Sequence, residues 1–180
     1  VGEGDVVRVG AVEGQVWLTE GHQDGHVSYV FGDVLFCGDT LFAGGCGYLF
    51  DGPPAKMHAS LQRLMTLDGA TRVFCAHEYT QDNLRFAWFV EPDNAALAAR
   101  IRRDWAVRAE GRCTVPSTIA DERASNPFVR VDSATIRRRL AEELPERALD
   151  SGAAVFAATR ALKDSKRHKE AVPDTALPLG

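Results

Sequence analysis

The chain lacks features that would place it in several other classes of protein. No apolar run approaches the roughly 20 residues that a helix needs to cross a bilayer. Basic residues are not in excess, and the formal net charge of −4 argues against a dedicated nucleic-acid binder. The first ten residues, with Glu3 and Asp5, do not resemble a signal peptide, which has a basic start and an apolar core. We therefore expect a cytoplasmic protein without a membrane or nucleic-acid partner.

Cysteine is also scarce. The four residues, Cys37, Cys46, Cys75 and Cys113, form no CxxC pair and no dense disulfide framework. Cys37 and Cys75 lie in apolar runs, where a reduced, buried thiol is expected in a reducing compartment. The rest of the composition, 45% hydrophobic and 26% charged, is that of a globular protein. The 180 residues have room for one domain with a small appendage.

The first part of the chain is rich in β-branched and aromatic residues. Strands are predicted at Gln15 to Leu18, Val27 to Phe31, Asp33 to Cys37 and Thr71 to Ala76. Gly32-Asp33 suits a two-residue hairpin turn. Between Pro54 and Leu67 the apolar residues recur at helical spacing. This order of strand, helix and strand indicates an α/β layer architecture.

After Tyr79 the pattern becomes helical. We predict helices at Leu84 to Val90, from a cap at Asn94 through Trp105, from Asp132 or Ser133 toward Leu144, and at Gly152 to Lys166. Pro173 to Gly180 is expected to be frayed. The boundary falls near Glu78, between an α/β part (residues 1–78) and an all-helical part (residues 79–180).

Three segments carry metal-capable side chains at strand ends: GHQDGH (21–26), CGDT (37–40) and AHEYT (76–80). Each alone is a weak signal, because a lone His beside a strand is usually structural and Asp39 could equally cap a turn. Strand-end loops are nevertheless where α/β folds gather ligands. Imidazole with carboxylate suits zinc, iron or manganese.

Taken together, these segments and their surroundings are more specific. TEGHQDGHVSYVF, LFCGDTLFAGGCGYLFDG, MHASLQRL, FCAHEYTQDNLRFA, VEPDNAAL and TVPSTIADERASNPFVR follow one another along the chain. In order and approximate spacing they resemble glyoxalase II, the hydroxyacylglutathione hydrolase family of the metallo-β-lactamase superfamily. The resemblance implies the second half of an αββα sandwich, followed by a helical substrate-binding domain.

The resemblance also implies a two-metal site. His22 would bind the first metal ion, His77 the second, and Asp39 would bridge both. Zinc is the first expectation, with iron or manganese as alternatives. His26 would be structural. We expect His58 and His168 to be solvated.

The implied reaction is hydrolysis of S-(2-hydroxyacyl)glutathione thioesters, such as S-D-lactoylglutathione to D-lactate and glutathione, in methylglyoxal detoxification. Two metal ions would lower the pKa of a water toward about 7 and act as Lewis acids. The leaving thiolate, with a thiol pKa of about 8.5, needs no strong general acid.

Substrate contacts are implied for Tyr79, Arg160, Lys163 and the loop that contains Tyr48. For Arg160 and Lys163 the alternative is a solvated helix face. The family usually has Arg or Lys at the position of Tyr48. We therefore expect weaker glutathione binding or a shifted substrate preference. We also expect the protein to act as a monomer.

One family motif is absent. THxHxDH, which supplies four further metal ligands upstream of His22, does not occur. We therefore expect the chain to lack the front of the family's fold, and its strands to expose an apolar face. Alternatives are an inactive remnant that acts as a binding module, another superfamily hydrolase, or a persulfide dioxygenase. The arginines at 100, 102, 103 and 108 could suggest RNA binding, but an ordinary solvated helix face is expected.

Overall fold

A computed structural model describes all residues, 1–180. Eight strands are present: β1 (Val6–Val9), β2 (Val12–Leu18), β3 (Val27–Phe31), β4 (Val34–Gly38), β5 (Leu41–Phe42), β6 (Gly45–Cys46), β7 (Arg72–Cys75) and β8 (Ser117–Thr118). Six of them form one sheet in the order β1-β2-β3-β4-β7-β8, and β5 and β6 form a separate hairpin.

Seven helices complete the chain: α1 (Pro54–Leu64), α2 (Thr80–Val90), α3 (Ala95–Ala109), α4 (Ile119–Ser125), α5 (Ala134–Glu143), α6 (Gly152–Asp164) and α7 (His168–Ala171). A short 3₁₀ helix follows at Asp174–Ala176. None of the helices is both long and apolar enough to span a membrane.

The strand predictions are largely confirmed. β3 matches its predicted bounds, and Phe31 pairs with Val34 across the predicted two-residue turn. Gly32 has a φ of +57°, the left-handed conformation that such turns favour in glycine. β2 begins at Val12, earlier than predicted, because it pairs along its first half with β1.

The βαβ unit β4-α1-β7 determines where the strand-end residues meet. β4 and β7 are neighbours and run parallel. Parallel strands place their carboxyl ends at the same edge of a sheet. Asp39 follows β4 directly and His77 follows β7 by two residues, so both lie at that edge.

The helices begin at polar caps. The Asn94 side chain accepts a hydrogen bond from the Leu97 amide at 3.1 Å, as predicted for the start of α3. Ser133 caps α5, which decides between the two predicted starts. α2 begins four residues before the predicted Leu84, and α4 was not predicted at all.

One hydrophobic core runs through the chain. A cluster of 26 buried residues includes Leu35 of the sheet, Leu61 of α1, and Val155 and Phe156 of α6. α1 packs directly against α6, and β8 extends the sheet from within the helical part. The division at residue 78 remains a prediction, and residues on both sides of it share this core.

The face of the sheet that points away from this core is exposed to solvent near β1 and β2. Val9 is 68% exposed, Val12 57% and Phe36 44%. These side chains line a shallow apolar groove together with Phe31 and Val34. The expected exposed apolar face is therefore present, with much of it on β1 and β2.

The prediction of a frayed end is wrong. Residues 167–180, here called the C-terminal strap, pack back onto α2 and α3. Trp88 Nε1 donates to the carbonyl of Ala176 at 3.1 Å, and Arg102 donates to that of Pro178 at 3.1 Å. Leu177 is only 7% exposed. Sequence patterns did not reveal this packing because it depends on tertiary contacts.

Candidate metal centre and substrate cavity

The Asp39 carboxylate lies between two imidazoles. Its Oδ2 is 3.9 Å from Nε2 of His22, and its Oδ1 is 3.4 Å from Nε2 of His77. The three residues named from the sequence therefore meet at the edge of the sheet. Each carboxylate oxygen faces a different imidazole, as a bridging role would require.

These distances suit shared metal ions. Zinc binds imidazole nitrogen and carboxylate oxygen at about 2.0–2.2 Å, which puts two donors of a tetrahedral ion about 3.4 Å apart. No group of three or more His, Cys, Asp or Glu side chains is arranged to hold an ion. The chain thus offers two ligands to each of two ion positions: one imidazole nitrogen and one oxygen of Asp39. A closed zinc site has four ligands.

The orientation of His22 is also that of a metal ligand. Its Nδ1 lies 2.8 Å from the carbonyl oxygen of Tyr48. Because a carbonyl can only accept, Nδ1 carries a proton, and Nε2 is the nitrogen that faces Asp39. Metal-binding histidines commonly donate their second nitrogen in this way.

His26 supports the loop that carries Asp39. The Asp39 amide donates to His26 Nε2 at 3.3 Å, so that nitrogen is unprotonated. His26 Nδ1 then donates to Thr40 Oγ1 at 3.1 Å, and the Thr40 hydroxyl donates to the carbonyl of Thr19. Burial lowers the pKa of His26, and neighbouring His22 lowers it further, consistent with a neutral ring.

Gly47 allows the two loops of the site to approach each other. A Cβ at this position would lie 1.9 Å from the carbonyl oxygen of Asp39 and 3.1 Å from His22 Nδ1. No side chain fits there without moving backbone. The close approach of Asp39 therefore explains why the second residue of glycine type in the GCG sequence has no side chain.

A cavity of about 380 Å³ lies beside this centre. Its walls combine aromatic, polar and cationic side chains: Phe42, Cys46, Tyr48, Tyr79, Asp82, Asn83, Arg160, Lys163 and Lys169. All four residues predicted to bind substrate are in this set. The cavity therefore brings together the GCG loop, α2, α6 and the strap.

Arg160 and Lys163 are not on a solvated helix face, since each is only 8% exposed. Arg160 Nη1 donates to the carbonyl of Cys46 at 3.2 Å, and its Nη2 pairs with Asp164 at 2.6 Å. Lys163 Nζ donates to the Asp82 carboxylate at 2.5 Å. Burial lowers the pKa of Lys163 to about 8, although Asp82 opposes that shift.

Two tyrosines connect the cavity with the metal centre. The Tyr79 ring stacks on His77, with centroids 5.0 Å apart and 22° between the planes. Tyr48 touches the centre through its backbone carbonyl, while its side chain is 54% exposed. A ligand in the cavity would therefore lie next to the Asp39 carboxylate.

The sequence reasoning did not identify the residues that hold the GCG loop. Glu122, fully buried, accepts from the Gly44 amide at 2.9 Å, and Asn126 Nδ2 donates to the carbonyl of Gly45 at 2.9 Å. Asn83 donates to the carbonyl of Ala43. Glu122 and Asn126 lie in the segment from TVPST to NPF, and Asn83 follows AHEYT, so the resembling segments themselves carried the signal.

Three expectations of solvated side chains are wrong. His168 is 1% exposed, and its ring packs edge-on against Phe86. His58 is partly buried beside Phe156, with its Nε2 shielded from solvent. Arg100 is 3% exposed and forms ion pairs with Glu122 and Asp104. Arg100 therefore belongs to the core and offers no charge to RNA.

Comparison with known proteins agrees with this geometry. The metallo-beta-lactamase superfamily model matches residues 1–77, and the model "Hydroxyacylglutathione hydrolase C-terminus" matches residues 78–166. The crystal structure of ETHE1 from Myxococcus xanthus is similar with a TM-score of 0.53 and 27% identity, over 92% of this chain and 59% of that one.

The fold is that of the metallo-β-lactamase superfamily, represented by the second half of its αββα sandwich with a helical C-terminal part. Membership implies divalent metal ions. Hydroxyacylglutathione hydrolase from Gloeobacter violaceus is 51% identical over 90% of this chain, and that from Pseudomonas fluorescens is 46% identical over 90%. The chain belongs to the hydroxyacylglutathione hydrolase family, and it spans 62% and 63% of the length of these two relatives.

Proposed function

We propose that this chain provides the substrate-binding part and part of the metal centre of a thioester hydrolase. Its substrates would be S-(2-hydroxyacyl)glutathione thioesters, with S-D-lactoylglutathione converted to D-lactate and glutathione in methylglyoxal detoxification. The observation that carries the proposal is the adjacency of the two sites. Tyr79 lines the cavity and stacks on His77, whose Nε2 is 3.4 Å from Asp39.

The cavity suits the glutathione moiety. Glutathione carries two carboxylates, and Arg160 and Lys163 present cations that burial keeps poorly hydrated. A guanidinium grips a carboxylate with two donors, and an ammonium acts as a point charge. Tyr48 and Tyr79 provide apolar ring surface and hydroxyls at the opening.

The donor set of His22, Asp39 and His77 suits divalent metal ions, with zinc the first choice and iron or manganese the alternatives. Such ions, when bound, supply Lewis acidity and lower the pKa of water. Asp39 would contribute one oxygen to the ion position next to His22 and the other to the position next to His77. The thiolate leaving group accounts for the lack of a general acid in the proposed site.

We also propose a cellular compartment and an oligomeric state for the protein. Four free cysteines, two of them buried, support a reducing compartment such as the cytoplasm. We also propose that the protein acts as a monomer.

The test is hydrolysis of S-D-lactoylglutathione by the purified chain with added zinc, alongside the product of the complete gene. Asp39→Asn serves as the inactive control in both. Turnover by the gene product that Asp39→Asn abolishes would support the proposal. Glutathione binding without turnover in either protein would favour the alternative, a binding module. Neither binding nor turnover would refute the assignment.

A further inference from the structure

The C-terminal strap lies beyond the residues that the family model matches. The hydroxyacylglutathione hydrolase model ends at residue 166, and α7 lies within the fourteen residues that follow. α7 packs against α2, the helix that carries Asp82 into the cavity. The strap therefore lies outside the residues that this model matches and beside the proposed substrate site.

The strap is firmly held. His168 is buried against the Phe86 ring, with centroids 5.3 Å apart, and its Nε2 lies 3.5 Å from Asp82 Oδ1. Arg85 Nη1 donates to the carbonyl of Val172 at 2.6 Å, and Val172 itself is 6% exposed. These contacts fix the position of the residue between them, Lys169.

Lys169 is the most exposed of the three cations that line the cavity. Its side chain is 55% exposed, against 10% for Arg160 and 9% for Lys163. Its Nζ lies 3.3 Å from Asp82 Oδ1. An ammonium in this position can turn toward a ligand without leaving a buried charge behind.

The charges of the two buried cations are partly neutralised by protein partners. Arg160 bonds Asp164 and the carbonyl of Cys46, and Lys163 bonds both the carboxylate and the carbonyl of Asp82. Lys169 shares Asp82 with Lys163 and has no other anionic partner. Its charge is therefore the least neutralised in the cavity.

We propose that Lys169 is a specificity-determining residue that binds a carboxylate of the peptide thiol moiety at the mouth of the cavity. This inference rests on the proposed function for the identity of the ligand. The strap thereby supplies a cation on the side of the cavity where the GCG loop offers the uncharged Tyr48.

The test is the affinity of the full chain for glutathione, measured by titration calorimetry. Lys169→Met should weaken binding about 3-fold to 5-fold, the effect of one solvent-exposed ion pair. Lys169→Arg should stay close to the parent chain. Arg167→Met is the matched control, since Arg167 belongs to the same strap and pairs with Glu143 instead. It should leave the affinity unchanged.

The ligand provides a second control. Glutathione with both carboxylates esterified should bind the parent chain and Lys169→Met equally. Equal weakening by Lys169→Met and Arg167→Met, no weakening by Lys169→Met, or no glutathione binding by the parent chain would each overturn the inference. If glutathione binding depends on Lys169 but no thioester is hydrolysed, the inference is supported and the proposed function fails. Turnover with no effect of Lys169→Met would show the reverse.

Discussion

The carbonyl oxygen of Tyr48 accepts a hydrogen bond from Nδ1 of His22 at 2.8 Å. One loop therefore both lines the cavity and orients a candidate metal ligand. A change in the position of this loop would alter substrate binding and metal binding together. The Tyr48 side chain is free of this role, because only the backbone of the residue holds His22.

Gly47→Ala tests that coupling. The added Cβ would meet the Asp39 carbonyl at 1.9 Å, so the backbone must shift. We expect a loss of about 1–3 kcal/mol in the free energy of unfolding, together with weaker zinc binding. Urea unfolding and zinc titration measure the two effects. Gly2→Ala, where nothing lies within 4 Å, is the control. An unchanged zinc affinity in Gly47→Ala would contradict the coupling.

Asp39→Ala should release more metal than His22→Ala or His77→Ala. Asp39 faces both imidazoles at 3.4 and 3.9 Å, so its loss removes an oxygen from both positions. Metal content after dialysis against a chelator is the measurement, and His58→Ala provides a histidine control outside the site. Equal losses from the three site variants would argue against a bridging carboxylate.

Tyr48→Arg should tighten glutathione binding. Tyr48 is 54% exposed at the cavity and holds His22 only through its carbonyl, so the added cation leaves the metal side unchanged. In active protein, KM should fall with little change in kcat, since remote binding is uniform. Tyr48→Phe should change KM little. A KM for Tyr48→Arg that stays the same or rises would show that no substrate anion approaches this position.

Glu122→Gln should strongly destabilise the chain. Glu122 is fully buried and pairs with Arg100, itself 3% exposed, while also holding the Gly44 amide. Removing one partner of a buried ion pair costs about 3–5 kcal/mol. Urea unfolding should show a loss of that size, and Glu142→Gln, on the surface, should show almost none. A loss below about 1 kcal/mol would mean that Arg100 is satisfied by its other partners.

Ligand binding should weaken as the pH rises through about 8. Burial lowers the folded-state pKa of Lys163 to about 8, so its charge is lost above that pH. In the unfolded chain the pKa of Lys163 is near 10.4. Between about pH 8 and this value, Lys163 is protonated in the unfolded chain but largely neutral in the folded one. Its contribution therefore makes the free energy of unfolding rise with pH. S-methylglutathione affinity, measured across this window, should fall about tenfold.

Lys163→Arg is the control for this pH dependence, because a guanidinium remains charged. It should remove most of the decline, leaving only the contribution of the ligand's own amine. An equal decline in the parent chain and in Lys163→Arg would assign the effect to the ligand alone.

Elements with a local signal were predictable. The β3–β4 hairpin follows from two β-rich runs around Gly32-Asp33, and α3 follows from Asn94 and the apolar spacing after it. β8 was not predicted, since its short sequence gains stability only from pairing with β7. The burial of His168 depends likewise on packing against Phe86, to which no local pattern points.

For the site, the residue types were visible in the sequence but their proximity was not. Asp39 and His77 meet because β4 and β7 run parallel, and His22 joins them through the Tyr48 carbonyl. The resemblance to a family supplied that grouping, and it also supplied Arg160 and Lys163. Asp82 lies in one of the resembling segments but had no predicted role, and Lys169 lies outside all of them; only the fold brings both to the cavity.

The separation along the chain between the two walls of the cavity has a kinetic consequence. The strands β1 to β4 form a meander of neighbours in sequence, whereas Arg160 contacts Cys46 across 114 residues. Contacts between distant residues require a large loop to close before they contribute any stability. We expect the meander to form early during folding and the cavity to close among the last events, so a refolding intermediate would have a sheet but no affinity for glutathione.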